Sequence, residues 1–150
     1  MRVARHNMKA EPGHDLQRRA LRVTDMSERA LGEMRAEIAT RIVKLQSDYY
    51  GKGPTKARTY VIDDLVAVVL EETFTKAERT LVDRGEVEAI QQIRRRFQQQ
   101  MADEFKAIVE QATGRSVRAF LSETNLEADL SVEMFLLGEA RTDMADFEET

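Results

Sequence analysis

Residues 53–71 read G-P-T-K-A-R-T-Y-V-I-D-D-L-V-A-V-V-L-E, and how they pair decides the fold. Gly53-Pro54 stops whatever precedes it, because proline has no amide hydrogen and restricts the residue before it. Beyond the break, two runs rich in β-branched and aromatic residues, 57–62 and 65–71, flank Asp63-Asp64. Two turn-forming residues between such runs predict a β-hairpin. Period two puts Arg58, Tyr60 and Ile62 on one face of the first strand and Ala57, Thr59 and Val61 on the other. The second strand is apolar on both faces, with Val66, Val68 and Leu70 opposing Leu65, Ala67 and Val69. Such a strand needs cover on both sides. Helices are expected on one side and a second subunit on the other.

Upstream of the hairpin, Leu31, Met34, Ile38, Ile42, Leu45 and Tyr49 recur at helical spacing. This helix starts at Asp25 or Ser27, where Asp25 and Glu28 have capping-box spacing, and ends at Tyr50 before Gly51. Downstream, Thr75 and Glu78 form a capping box that opens a short helix anchored by Phe74 and Leu81 and broken at Gly85. A long helix follows over residues 86–113, with a stripe of Val87, Ile90, Ile93, Phe97, Met101, Phe105, Ile108 and Ala112, closing at Gly114. At about 1.5 Å per residue it is roughly 40 Å long. Four strands span only about 15–20 Å, so the helix is expected to overhang its sheet toward a partner. Arg94, Arg95 and Arg96 lie on it, diverging by about 100° per residue, and read as a solvated face rather than one basic patch.

A third strand is expected over 116–122, with Val117, Ala119 and Leu121 on one face and Arg118 and Phe120 on the other. After a polar turn at 123–129, a fourth strand over 130–137 alternates, with Leu130, Val132, Met134 and Leu136 expected inward and Ser131 and Glu133 outward. The fold class is therefore α+β, in the order α-β-β-α-α-β-β. A four-stranded antiparallel sheet made from two β-hairpins carries long amphipathic helices packed on one face.

With 150 residues, 42% hydrophobic and 33% charged, the chain is that of one soluble domain large enough for a real core. It contains no cysteine, which excludes disulfides, thiolate metal sites and cysteine nucleophiles. No apolar run approaches the roughly 20 residues of a membrane-spanning helix, and neither a secretory signal nor a transit peptide fits the first residues. Charge is graded: residues 1–24 carry a net +4 and residues 139–150 a net −4. The domain plan is a flexible basic tail over 1–24, a single α+β domain over 25–138, and a flexible acidic tail over 139–150. A sequence pI near 5.3 leaves only the N-terminal tail to attract nucleic acid, which argues against a nucleic-acid-binding role.

The motifs favour backbone geometry over chemistry. Residues 51–56, G-K-G-P-T-K, resemble a phosphate cradle in composition, but the glycines follow a helix and precede a strand, the reverse of a P-loop. Lys52, Lys56, Arg58 and Arg118 remain as candidate side chains for an anion or partner site. Asp63-Asp64 reads as turn chemistry. Asn125, Glu127 and Asp129 lack the glycine and distal glutamate of a calcium loop. His6 and His14 fall on the N-terminal tail, where no catalytic geometry is held. No metal or other cofactor is expected, and no enzymatic activity. A hydrolytic site would require a cleft lined by Asp63, Asp64 and Glu133.

Four stretches carry a family resemblance: G-P-T-K-A-R-T-Y-V-I-D-D-L-V from residue 53, T-K-A-E-R-T-L from residue 75, T-G-R-S-V-R-A-F-L-S from residue 113 and L-S-V-E-M-F-L-L from residue 130. In this order and spacing the chain resembles the MpsC-like family of small bacterial proteins over roughly residues 27–138. Gly53, Pro54, Thr55, Lys56, Arg58, Thr59, Asp63 and Asp64 match the hairpin motif. Glu72-Thr73 stands where the family has a glycine-containing turn, and Lys76 where proline is common. The resemblance implies an accessory component of a cation-translocating, membrane-potential-generating system, with relatives encoded near inorganic-carbon transporters and no catalytic residues to carry over. The expectation is a non-enzymatic cytoplasmic accessory protein, homodimeric, peripheral to the inner membrane at the cytosolic face of an ion or inorganic-carbon transporter. The alternative expectation is a small anion- or nucleotide-binding regulator using the four basic residues on the exposed sheet face.

Overall fold

The computed structural model describes residues 26–140. Both histidines and most of the two charged tails lie outside the described residues. The order is α1 (Glu28–Tyr50), β1 (Lys56–Ile62), β2 (Leu65–Glu71), α2 (Lys76–Asp83), α3 (Val87–Thr113), β3 (Arg115–Asn125) and β4 (Leu130–Ala140). This is the α+β order expected from the sequence. Ser27 caps α1 by accepting from the Ala30 amide at 3.1 Å, and Gly51 ends it in the left-handed region at φ 77°. Thr75 and Glu78 complete the reciprocal capping box of α2.

The four strands form one antiparallel sheet in the order β1-β2-β4-β3. Each hairpin contributes an edge strand and a central strand, and β2 pairs with β4 in the middle. Arg115 ties the hairpins together at one end: it donates to Asp64 Oδ1 at 2.6 Å in the first turn and to the Gly138 carbonyl at 3.0 Å in β4.

All three helices lie on one side of the sheet. Val66, Val68 and Leu70 of β2 face α1 and α3 and pack with Ile38, Ile42, Met101, Phe105 and Val109. Phe120 lies 5.9 Å from the Phe105 ring and 5.0 Å from that of Phe135.

The second hairpin differs from its expected facing. In β4 the helix-facing residues are Ser131, Glu133, Phe135 and Leu137, all buried. Leu130, Val132, Met134 and Leu136 lie instead on the opposite face, half-buried. Residues opposite each other in a ladder share a face, and Phe135 stands opposite Val66, so Val66 and Phe120 draw Phe135 into the core. The even-numbered apolar residues then line the open face. In β3 a bulge between Val117 and Ala119 brings Val117 onto the same face as Phe120, not onto that of Leu121.

The inward stripe of α3 is also shifted. Ile93 is 41% exposed, while Arg94 is only 3% exposed and takes the inward position between Ile90 and Phe97. Arg95 and Arg96 are exposed, as expected, and Arg94 is the exception.

Candidate functional site

The helix-facing side of the sheet is graded from apolar to polar. At the Asp63-Asp64 end, Val61, Val66, Phe135 and Phe120 form one row across the four strands. The next row toward the other end is Thr59, Val68, Glu133 and Ser122, and the one after it Ala57, Leu70, Ser131 and Thr124. Thr59 Oγ1, Ser122 Oγ and Glu133 Oε2 are sealed from solvent without a hydrogen-bond partner among the described residues, and all three belong to one row. Burial pushes the Glu133 carboxyl up to about 7, opposed by the Ser122 hydroxyl and the charge of Arg94.

Beside these rows, residues of the helices and connectors form a polar network of their own. Arg94 Nε and Nη2 donate to the two Glu78 oxygens at 2.6 and 2.8 Å, and Nη1 and Nη2 reach the Thr73 hydroxyl and carbonyl at 3.2 and 3.1 Å. The guanidinium lies 4.4 Å from the Tyr50 ring centroid and 5.3 Å from that of Phe74. Burial pushes the Tyr50 phenol up to about 12. Asp129 Oδ1 accepts from the amides of Thr73 and Phe74 at 2.8 and 3.1 Å, while Oδ2 takes Arg79 at 2.8 Å. Asp129 thus closes the β2–α2 connection. Gln98 donates to Thr124 at 3.2 Å, beside a cleft of about 110 Å³ lined by Arg94, Arg95, Gln98, Ser122 and Thr124.

The basic residues singled out from the sequence have separate settings. Lys52 Nζ donates to the carbonyls of Glu72 and Phe74 at 3.1 and 3.0 Å and clamps two connectors together. Lys56 is 3.8 Å from the Glu72 carboxylate. Arg58 is exposed on β1, two residues along from Lys56 and on the same face. Arg118 is exposed on β3, at the other edge of the sheet. Lys52, Lys56 and Arg58 are therefore near neighbours in the chain, and Arg118 does not join them. Asp63 and Asp64 are exposed at the first turn, whereas Glu133 is buried opposite Val68, so these three carboxylates line no common cleft. Among the described residues no group of three or more His, Cys, Asp or Glu side chains could hold a metal ion.

The polar network was missed in the sequence because each member has a plainer local reading. Glu78 completes a capping box, Asp129 ends a turn and Arg94 belongs to a charged run. The available signal was spacing: Ile90, Arg94, Phe97 and Met101 follow a 4-3-4 pattern in which an arginine takes an apolar place.

The side of the sheet away from the helices is an exposed apolar surface. Tyr60, Ile62 and Leu121 are 45%, 62% and 55% exposed, and Leu65, Ala67, Val69, Val132, Met134 and Leu136 fill the space between them. No described segment of the chain covers this face. Contiguous apolar patches of this kind mark interaction sites.

The family described as "Na+-translocating membrane potential-generating system (MpsC)" matches residues 30–139, and the chain belongs to that family. A curated relative, "Uncharacterized protein YbcI" of Bacillus subtilis (strain 168), is 26% identical over 107 residues, covering 71% of this chain and 86% of the relative. No solved structure matches the chain significantly.

Proposed function

We propose that this MpsC-family protein is a non-enzymatic accessory component of a sodium-translocating, membrane-potential-generating system. It works at the cytosolic face of the membrane by protein–protein contact. The observation that carries the reading is the family match over residues 30–139, which takes in nearly all of every helix and strand. Two features of the fold support a contact role. The open sheet face is an apolar surface suited to a protein partner. The polar groups that would otherwise be candidates for chemistry are turned inward, where Arg94, Glu78, Thr73 and Asp129 satisfy one another. No helix among the described residues is long and apolar enough to cross a membrane, so attachment to the system would be through its protein subunits.

The test is affinity capture of the full chain from native membranes, followed by identification of what comes with it. Recovery of subunits of a cation-translocating complex is the expected result. Recovery of none, under conditions that keep such complexes intact, would sink the reading.

A further inference from the structure

The open sheet face is self-complementary, and we infer that it is covered by a second copy of this chain, with Arg58 of each copy meeting Glu123 of the other. The inference deepens the contact role proposed above and rests on it for its biological setting, but not for its geometry.

The strand register lays the open face out as a grid. Reading across β1, β2, β4 and β3, successive rows are Lys56, Glu71, Leu130, Asn125, then Arg58, Val69, Val132, Glu123, then Tyr60, Ala67, Met134, Leu121, then Ile62, Leu65, Leu136, Ala119. The last two rows are wholly apolar. The first is mixed, with Lys56 and Glu71 beside Leu130 and Asn125, and the second has an apolar middle with a cation, Arg58, at the β1 rim and an anion, Glu123, at the β3 rim. Neither Arg58 nor Glu123 has an ion-pair partner among the described residues.

Homodimers are commonly built on a two-fold axis, in which one patch meets itself. Consider the axis between two stacked sheets, parallel to the strands. Each β1 then lies over the other copy's β3, each β2 over the other's β4, and every row meets its own row. Arg58 faces Glu123 of the second copy on both rims. Ile62, the most exposed large apolar residue of the face, lies over the small Ala119, and Met134 over the small Ala67. The roughly 30° twist between packed sheets displaces the rim by a few ångströms, within the reach of an arginine. An axis perpendicular to the strands gives a worse result, since it reverses the rows and sets Arg58 and Glu123 against the apolar Tyr60 and Leu121. The charges therefore select one of the two arrangements.

The size of the contact is consistent with a reversible dimer. Strands about 4.8 Å apart and about 3.4 Å per residue give a flat footprint of roughly 400 Å² per copy. That is about 800 Å² in total, below the range of stable interfaces and in that of weak, transient ones, so association should depend on concentration.

The deciding experiment is sedimentation velocity on the full chain across a wide concentration range, with charge-reversed variants. The wild type should approach twice its 17.2 kDa chain mass as concentration rises. Arg58→Glu and Glu123→Arg should each weaken association by about tenfold, with circular dichroism unchanged because both residues are exposed. The double variant carrying both reversals should recover most of the lost affinity, since the pair is restored with opposite sense. A monomer at every concentration would overturn the inference. So would a dimer indifferent to both reversals, or one that the double variant fails to rescue. A monomer whose open face is nevertheless protected from hydrogen exchange would overturn it and assign the cover to another segment of the chain. The two readings fail separately. A monomer that still captures transport subunits sinks only the dimer, and a dimer that captures none sinks only the accessory role.

Discussion

Arg94 of α3 and Glu78 of α2 form a two-pronged ion pair whose side chains are 3% and 9% exposed. Glu78 serves two helices at once, because the oxygen that accepts Arg94 Nη2 also accepts the Thr75 amide at 3.1 Å. The pair therefore locks the short helix to the long one. Removing one partner of a buried pair leaves an uncompensated charge, which costs about 3–5 kcal/mol. Arg94→Met is expected to lose that much in urea denaturation. Adding Glu78→Gln keeps an acceptor for the Thr75 amide and removes the stranded charge. The double variant should be at least about 1.5 kcal/mol more stable than the sum of the single losses predicts. Additive losses would show that the two residues are not coupled as described.

Glu133 sets a second prediction, in the stability profile against pH. Its carboxyl is held at about 7 in the folded protein, against 4.5 for the free group, chiefly by burial. Between those values the folded state keeps a proton that the unfolded state has released. Stability contributed by this group therefore falls as pH rises from about 4.5 to 7. Below that window both states are protonated and the penalty is absent. Above it the penalty is complete, on the order of 3 kcal/mol. Glu133→Gln should be near neutral below the window and progressively more stable than wild type through it. Stability curves for the two proteins that run parallel from acid to neutral pH would refute the assignment.

How much of this was legible in the sequence differs between the two hairpins. Element order, the helix caps and the first hairpin follow from local chemistry: Thr75 with Glu78, Gly51 and Gly114 after helical stripes, and Asp63-Asp64 between β-rich runs. These signals act over a few residues and need no knowledge of what packs where. Which face of β4 turns inward is different. Leu130, Val132, Met134 and Leu136 make the better apolar row by composition, yet Phe135 and Leu137 are the core residues because β2 and Phe120 lie beside them. The alternation is ambiguous when both faces of a strand are apolar near its end. Of the polar residues on the buried face, Ser131 is bonded to Thr124, which in turn accepts from Gln98, a partner distant in sequence. The four basic residues considered for an anion site were legible as cations, but their relative positions depend on strand order. With β1 and β3 at opposite edges, Arg58 and Arg118 sit on separate rims.

Glu72 occupies a left-handed backbone conformation at φ 58°, in the turn between β2 and α2. This is the place where the family resemblance leads one to expect a glycine-containing turn. A side chain in this region costs roughly 1–2 kcal/mol, and glycine relieves it while adding some unfolded-state entropy. Glu72 also makes an exposed ion pair with Lys56 and accepts a hydrogen bond from Thr55. An exposed pair of this kind contributes at most about 1 kcal/mol. Glu72→Gly is therefore expected to stabilise the fold by up to about 1 kcal/mol, measured as a higher denaturation midpoint with an unchanged slope. A clear loss of stability would mean that the Lys56 and Thr55 contacts outweigh the backbone strain.

Gly53 opens the hairpin motif for a different reason, which a pair of alanine substitutions can isolate. A Cβ at Gly53 would meet the Val43 carbonyl oxygen at 3.1 Å, Val43 Cγ1 at 3.3 Å and Ser47 Cβ at 3.4 Å, all on α1. The connector returns so close to the helix that there is no room for a methyl group without displacing it. Gly53→Ala should cost about 1–3 kcal/mol by overpacking. Gly32 provides the contrast, since a Cβ there meets nothing within 4 Å and its helical backbone suits alanine. Gly32→Ala should stabilise by roughly 0.5–1 kcal/mol through helix propensity. The same chemical change thus has opposite signs at two sites joined by one helix. If Gly53→Ala proved as stabilising as Gly32→Ala, the close approach of the connector to α1 would be wrong, and with it the packing that positions the first hairpin under the helices.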